Sequence, residues 1–412
     1  FQTRTTSPER LPKEEARSVP GFARGDEAVR AARVILLLLA ACTGIGASIP
    51  ARADWFGNDC GPPDARTAGA LRRFEDNIEQ SGRSGIVVGV VRGTCLLFKR
   101  GFGFADAERR IAMRPETLSR IGSVTKTVTA VLMLRLVEEG TVALDDPVVR
   151  HLPQFARVRG RGVEQVTLRQ LASHTGGLPV KARGATYGVG PFEQWQSLAL
   201  RALQSARLVL RPGRRYRYSN LGTVALGLAL GRAAGRPYVE LVKEKVLEPL
   251  GMQNTTFYLA PELRRAPLLA LSSSGAREHD GLGSRIPSGG LYSTVEDLGR
   301  FAAALYGAGP PGFLSEHSRR LLATPALDDS KYGLGVRLGR LGGSRTLKHA
   351  GAISGYRAAL LVAPDAQTGA IVLQSAGNGR PTPMVLAHRL LAPLLWRPST
   401  HGEKGVRRKS AK

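Results

Sequence analysis

Ser119-Arg120-Ile121-Gly122-Ser123-Val124-Thr125-Lys126, followed by an apolar run from Val128 to Val137, is the stretch on which the reading of this chain turns. Two helical residues three positions apart share a face, with about 5–6 Å between their Cβ atoms. That spacing sets the Lys126 amine where it can take a proton from the Ser123 hydroxyl. A helix beginning here puts the serine at an N-terminus, where unpaired N–H groups and the positive dipole end stabilise developing negative charge. The helix is expected to run to about Glu139 and to stop at Gly140. Because it is apolar nearly all round, it belongs inside the fold, with the serine at the floor of a cleft. S-x-x-K alone is common by chance, so the rest of the chain has to decide its meaning.

Outward from this stretch, Arg66 to Gln80 reads as a short amphipathic helix. Ile86 to Val91 and Cys95 to Lys99 read as strands of a hairpin turning at Arg92-Gly93-Thr94. Between Leu144 and about Gly283 strand character fades and helical pieces dominate: Thr167 to His174, Pro191 to Leu210, Asn220 to Ala234 before Gly235, and Tyr238 to Leu250. Strand character returns in Gly333 to Leu338, Leu347 to His349, Ala359 to Val362 and Ala370 to Gln374, and an amphipathic helix from about Val385 to Trp396 closes the pattern. The expected division is an extension with signal peptide at 1–53, a discontinuous α/β domain from 54–143 and 284–397, a helical insertion at 144–283, and a basic tail at 398–412. The cleft falls between the α/β part and the insertion.

The 59 Lys+Arg against 33 Asp+Glu give a formal net charge of +26. The excess is mostly arginine and is spread along the chain. No zinc-finger spacing or aromatic-basic RNA signature accompanies it, so nucleic acid is not expected as a partner. The charge reads either as a biased, solvated surface or as attraction to an anionic cell envelope or membrane surface. Arg30 and Arg33, the short apolar run Val34 to Ala41 and the small-residue site Ala51-Arg52-Ala53 read as a secretory signal peptide. Leu39-Ala40-Ala41-Cys42 also resembles a lipobox, which makes Cys42 a candidate lipid anchor. With Cys42 removed, Cys60 and Cys95 remain, either paired in an oxidising compartment or as two separate buried thiols. Neither has a neighbouring Cys or His at ligand spacing, and no metal or organic cofactor is expected.

Two further patterns bear on the serine. Tyr218-Ser219-Asn220 follows the turn Arg211-Pro212-Gly213 and precedes a helical run, so a phenol and an amide can face one cleft. Taken alone, Asn220 reads as an N-cap and Tyr218 as a core aromatic. Lys348-His349-Ala350-Gly351-Ala352 lies on an expected strand, where small residues let a substrate backbone lie alongside. His174 reads as structural, Asp145-Asp146 as a turn or cap, and no G-x-S-x-G elbow occurs.

In this order, Ser123-x-x-Lys126, Tyr218-x-Asn220 and His349-x-Gly351 resemble the three motifs of the serine β-lactamase/penicillin-binding protein superfamily. Its class C-like branch takes in β-lactamases, DD-carboxypeptidases, D-aminopeptidases and family VIII-like esterases. Leu168-x-x-Leu171-x-x-His174-Thr-Gly-Gly-Leu178, Glu248-Pro-Leu-Gly-Met252, Pro287-Ser-Gly-Gly-Leu-Tyr-Ser-Thr294 and Tyr332-Gly-Leu-Gly335 look like stretches between those motifs. The resemblance covers roughly Thr67 to Trp396.

It implies an α/β (α+β) fold, a mainly antiparallel sheet flanked by helices plus a helical domain. It implies an exported serine hydrolase acting through an acyl-enzyme on an amide or ester, a small molecule or a cell-wall peptide. In that scheme Ser123 attacks, Lys126 is the base, held neutral by burial and neighbouring cations, and Tyr218 passes the proton to the leaving group. Asn220 orients Lys126 and a substrate amide, the N–H groups of Ser123 and Ala352 form an oxyanion hole, and His349 and Gly351 line the substrate. Ala350 departs from relatives that bind a substrate carboxylate, which usually carry a threonine hydroxyl there. The departure moves weight toward uncharged esters or amides. The alternative from another class is a non-catalytic cell-wall or β-lactam-binding protein.

Overall fold

A strand buried on both faces explains how the main sheet is covered. In Ile86–Arg92 successive side chains point to opposite faces, so Val87 and Val91 enter one apolar cluster while Ile86, Val88 and Val90 enter another. A strand apolar on both faces has to be covered on both, and it is. The computed structural model describes residues 55–57, 60–80, 85–182, 190–271, 282–375 and 381–395, which fall in one compact unit, Asp54–Lys412. The expectations for the signal peptide, Cys42 and the basic tail lie outside the described residues.

The strands are β1 (Ile86–Arg92), β2 (Cys95–Phe102), β3 (Phe104–Asp106), β4 (Ile111–Ala112), β5 (Ser119–Arg120), β6 (Tyr292–Ser293), β7 (Arg337–Leu341), β8 (Ser344–Ile353), β9 (Tyr356–Ala363) and β10 (Thr368–Gln374). Six of them form an antiparallel sheet in the order β2-β1-β10-β9-β8-β7. The helices that matter here are α1 (Ala65–Gln80), α2 (Thr125–Glu138), α3 (Leu168–Ala172), α4 (Trp195–Gln204), α5 (Asn220–Ala233), α6 (Val295–Leu305) and α7 (Pro383–Leu395). Side chains of α1 and α7, among them Leu71, Phe74, Leu386 and Leu390, cover the face bearing Val88, Leu361 and Val372. The other face, with Val87, Leu360 and Ile371, joins a larger cluster that includes α6, α2 and the helices of 144–283. The fold is mixed α/β with an antiparallel sheet between helical layers.

Several boundaries differ from the sequence reading. The helix expected to reach Leu210 stops at Gln204, because the Leu208 and Val209 amides turn away to the carbonyls of Arg159 and Gly177. The strand expected from Gly333 starts only at Arg337. Gly333 to Val336 form a loop instead, in which Gly335 is wedged against α2: at φ 67° its Cβ would stand 2.7 Å from the Lys126 carbonyl oxygen. Cys60 and Cys95 are joined in a disulfide.

One feature of the sheet matters for the site. Strand β7 pairs only with Ser344 to Lys348 of β8, while β9 pairs with Leu347 to Ile353. From His349 onward β8 therefore has an edge that β7 leaves uncovered.

Candidate active site

Ser123 sits in a 3₁₀ turn, Gly122–Val124, immediately before α2. The turn differs from a plain helix start, and its reason is local: Gly122 takes φ 48°, which a side chain rarely allows. The Lys126 Nζ stands 3.0 Å from Ser123 Oγ and donates to the Ser288 carbonyl at 2.6 Å. Lys126 is buried on a helix that is itself buried on nearly all sides. Burial, and secondarily the charge of Arg285, hold its amine well below the ordinary lysine value.

Tyr218, from the second of the three motifs, reaches the same oxygen, its hydroxyl donating to Ser123 Oγ at 2.7 Å. Burial pushes this phenol up to about 12, so it keeps its proton at neutral pH. Ser123, Lys126 and Tyr218 therefore form one hydrogen-bonded group, although Tyr218 is 95 residues from the serine in sequence.

Asn220 is placed differently from the expectation that it orients Lys126. The N-cap of α5 is Ser219, whose hydroxyl accepts the Gly222 N–H, and Asn220 is the first helical residue beyond it. Among the described residues its amide makes no hydrogen bond to Lys126, whose second partner is the Ser288 carbonyl. The sequence reading missed that carbonyl; the Pro287-Ser288-Gly289-Gly290 stretch was its only signal.

On β8, inward and outward positions alternate: His349 and Gly351 are buried, Ala350 and Ala352 exposed. His349 is engaged at both ring nitrogens, Nδ1 to the Ala350 carbonyl at 2.9 Å and Nε2 to the Tyr332 hydroxyl at 2.9 Å. Burial, then the Lys126 charge, lower this imidazole to about 3. A neutral ring facing a carbonyl must carry its proton on Nδ1, so Nε2 accepts from Tyr332. The ring is thus held inside the protein rather than left free for a ligand. Tyr332 is a second residue whose part in the site was not legible as more than context.

The open half of β8 meets the Ser123 turn at backbone distance. A Cβ on Gly122 would stand 2.9 Å from the Ala352 nitrogen, and one on Gly351 would stand 3.1 Å from the Ser123 nitrogen. Two glycines let the two amides approach. At the other side, Arg337 donates to the Tyr216 hydroxyl at 3.4 Å and lies over the rings of Tyr216 and Tyr332, about 6 Å from each centroid.

The sequence profile of the family described as Beta-lactamase matches residues 71–392. The Escherichia coli K12 D-alanyl-D-alanine-carboxypeptidase/endopeptidase AmpH is 32% identical over 269 residues, 65% of this chain and 66% of the relative, so the chain spans about two-thirds of that protein's length. Esterase EstB of Burkholderia gladioli is 32% identical over 278 residues, 59% of this chain and 70% of the esterase. Among solved structures, the β-lactamase/D-alanine carboxypeptidase of Yersinia pestis complexed with citrate superposes with a TM-score of 0.65 at 25% identity, covering 80% of this chain and 97% of its own. The octameric penicillin-binding protein homologue of Pyrococcus abyssi gives 0.65 at 26% identity, covering 80% and 77%.

Proposed function

The chain belongs to the β-lactamase family, a family of serine hydrolases, and we propose that Ser123, Lys126 and Tyr218 carry out its chemistry through an acyl-enzyme. The observation that carries this reading is the pair of contacts at one oxygen, Tyr218 Oη at 2.7 Å and Lys126 Nζ at 3.0 Å from Ser123 Oγ. An unprotonated Lys126 offers a lone pair, so the Ser123 hydroxyl donates to it while accepting from Tyr218. Ser123 Oγ attacks the substrate carbonyl carbon, its proton passes to Lys126, and the leaving group takes a proton through Tyr218. Water then attacks the ester carbonyl by the reverse relay and frees the serine.

The carbonyl oxygen becomes negative in the first step. Its stabilisation is assigned to the N–H groups of Ser123 and Ala352, a contribution of about 3–4 kcal/mol for each donor. The close approach at Gly122 and Gly351 supports that assignment. Asn220 and Gly351 are assigned to the substrate side, and His349 acts through Tyr332 and the shape of β8. Ala350 is exposed and carries no hydroxyl, which favours uncharged esters and amides over substrates held by a carboxylate. A secreted or envelope location is supported by the Cys60–Cys95 disulfide, and the net charge of +26 suits an anionic surface.

The test is turnover of p-nitrophenyl esters, nitrocefin and a peptide ending in D-alanyl-D-alanine by the wild type and by Ser123→Ala, with intact mass recorded after mixing. A serine-bound acyl mass and turnover that vanish in Ser123→Ala are expected, with the ester turned over best. Absence of turnover for every substrate class would point instead to a non-catalytic binding protein.

A further inference from the structure

We propose that His174 is the positioning residue of Tyr218: it ties down the chain on both sides of that tyrosine and so fixes the phenol against Ser123. This rests on the reading of Tyr218 as the group that passes the proton. The His174 carbonyl accepts the Arg217 N–H at 2.8 Å. Its ring Nδ1 accepts the Ser219 N–H at 3.3 Å. The residues immediately before and after Tyr218 are thus held by one residue 40-odd positions away.

The ring also walls the phenol in. Its centroid lies 4.5 Å from that of Tyr218 and 4.7 Å from that of Tyr332. The imidazole is 2% exposed, so these contacts are made away from solvent. Carbonyl and ring can serve the same loop because His174 adopts φ 60°, a left-handed conformation uncommon outside glycine, though histidine takes it more readily than most side chains. Conformations of that kind persist only where the surroundings enforce them, and they gather at functional sites.

The chemistry of the ring separates this role from simple filling. Because Nδ1 accepts, the proton of the neutral ring sits on Nε2, which is buried and has no hydrogen-bond partner among the described residues. A phenylalanine would supply the same apolar wall without an unpaired N–H. What histidine adds over phenylalanine is the Nδ1 acceptor, and the Ser219 bond is its use.

The experiment compares His174→Phe, which keeps a ring and loses the acceptor, with His174→Asn, which suits the left-handed backbone and loses the ring, each alone and with Tyr218→Phe. Amide deuterium uptake over residues 216–220 is read beside ester kinetics. Both variants should exchange faster there, and kcat should fall about ten- to a hundredfold with KM nearly unchanged. In the Tyr218→Phe background the same substitutions should add less than about a threefold further loss, since a residue that acts through Tyr218 has nothing left to position. Unchanged uptake, wild-type kcat, a penalty that multiplies with Tyr218→Phe, or failure of His174→Asn to fold at 25 °C each overturns the proposal. Full turnover in Tyr218→Phe alone overturns the underlying reading of Tyr218 instead, and the uptake measurement still decides whether His174 holds the loop.

Discussion

Gly351 and Ile121 meet backbone to backbone: a Cβ placed on Gly351 would stand 1.9 Å from the Ile121 carbonyl oxygen. Neither partner of such a contact is a side chain that can swing away. Gly351→Ala therefore has to push β8 off the Ser123 turn, with about 3 kcal/mol lost from stability. The Ala352 amide moves with the strand, so kcat/KM for an ester should fall more than about a hundredfold. Calorimetry and steady-state kinetics on the purified variant check both numbers, and a fully active Gly351→Ala enzyme would contradict the assigned oxyanion site.

Lys126 links stability to pH. Its folded-state value is depressed by burial and Arg285, while the unfolded side chain titrates at about 10.4. Between the two, the unfolded chain binds a proton that the folded chain lacks, so this group makes stability rise with pH, by up to about 1.4 kcal/mol per pH unit. Below the folded value both states are charged and the slope disappears. Lys126→Met should lose turnover entirely and lose this slope, which urea denaturation from pH 6 to 10 will show. Parallel curves for the two proteins would mean that Lys126 is charged in the fold. In the wild type, kcat/KM should rise with pH as Lys126 loses its proton, well below pH 10.

Ala350→Thr tests the substrate side. The position is exposed on the strand beside the site, so a hydroxyl is accommodated without repacking. A hydrogen bond to a charged group is worth about 1.5–3 kcal/mol, so KM for substrates bearing a carboxylate should fall by about tenfold or more while that for a neutral ester stays put. Equal effects on both substrates would place the carboxylate elsewhere.

The disulfide closes a segment with a sequence separation of 35. Chain-entropy arguments give about 3–4 kcal/mol for a loop of that size. Replacing both cysteines by serine should lower the denaturation midpoint accordingly and abolish its sensitivity to reductant. Cys95 lies on β2, at the sheet edge remote from β8, so turnover at 25 °C should survive. Loss of activity before loss of structure would tie the disulfide to the site instead.

How much of this was legible in the sequence depends on the range of the interaction. Helix α2 and its stop at Gly140 follow from apolar content and a terminal glycine, and the β1–β2 hairpin from two β-rich runs broken by Arg92-Gly93-Thr94. The Ser123–Lys126 pair is local, and Tyr218 became readable through the order of three motifs. The Ser288 carbonyl, the Tyr332–His349 bond and the grip of His174 on the Tyr218 loop were not legible, because each joins segments that only the folded chain brings together. Beside the expected role of Asn220, the folded chain gives Lys126 a partner that no motif position names, the Ser288 carbonyl. The overlong expectation for α4 failed because propensity could not show the amides of 208 and 209 being claimed by other strands of chain.

The half-uncovered β8 also bears on solubility. An unpaired strand edge is where sheets recruit foreign strands and grow into aggregates. Here the uncovered stretch is sunk against the Gly122–Val124 turn, backbone to backbone. The turn thus does for the second half of β8 what β7 does for the first: it shields a strand edge that would otherwise stand open to another sheet.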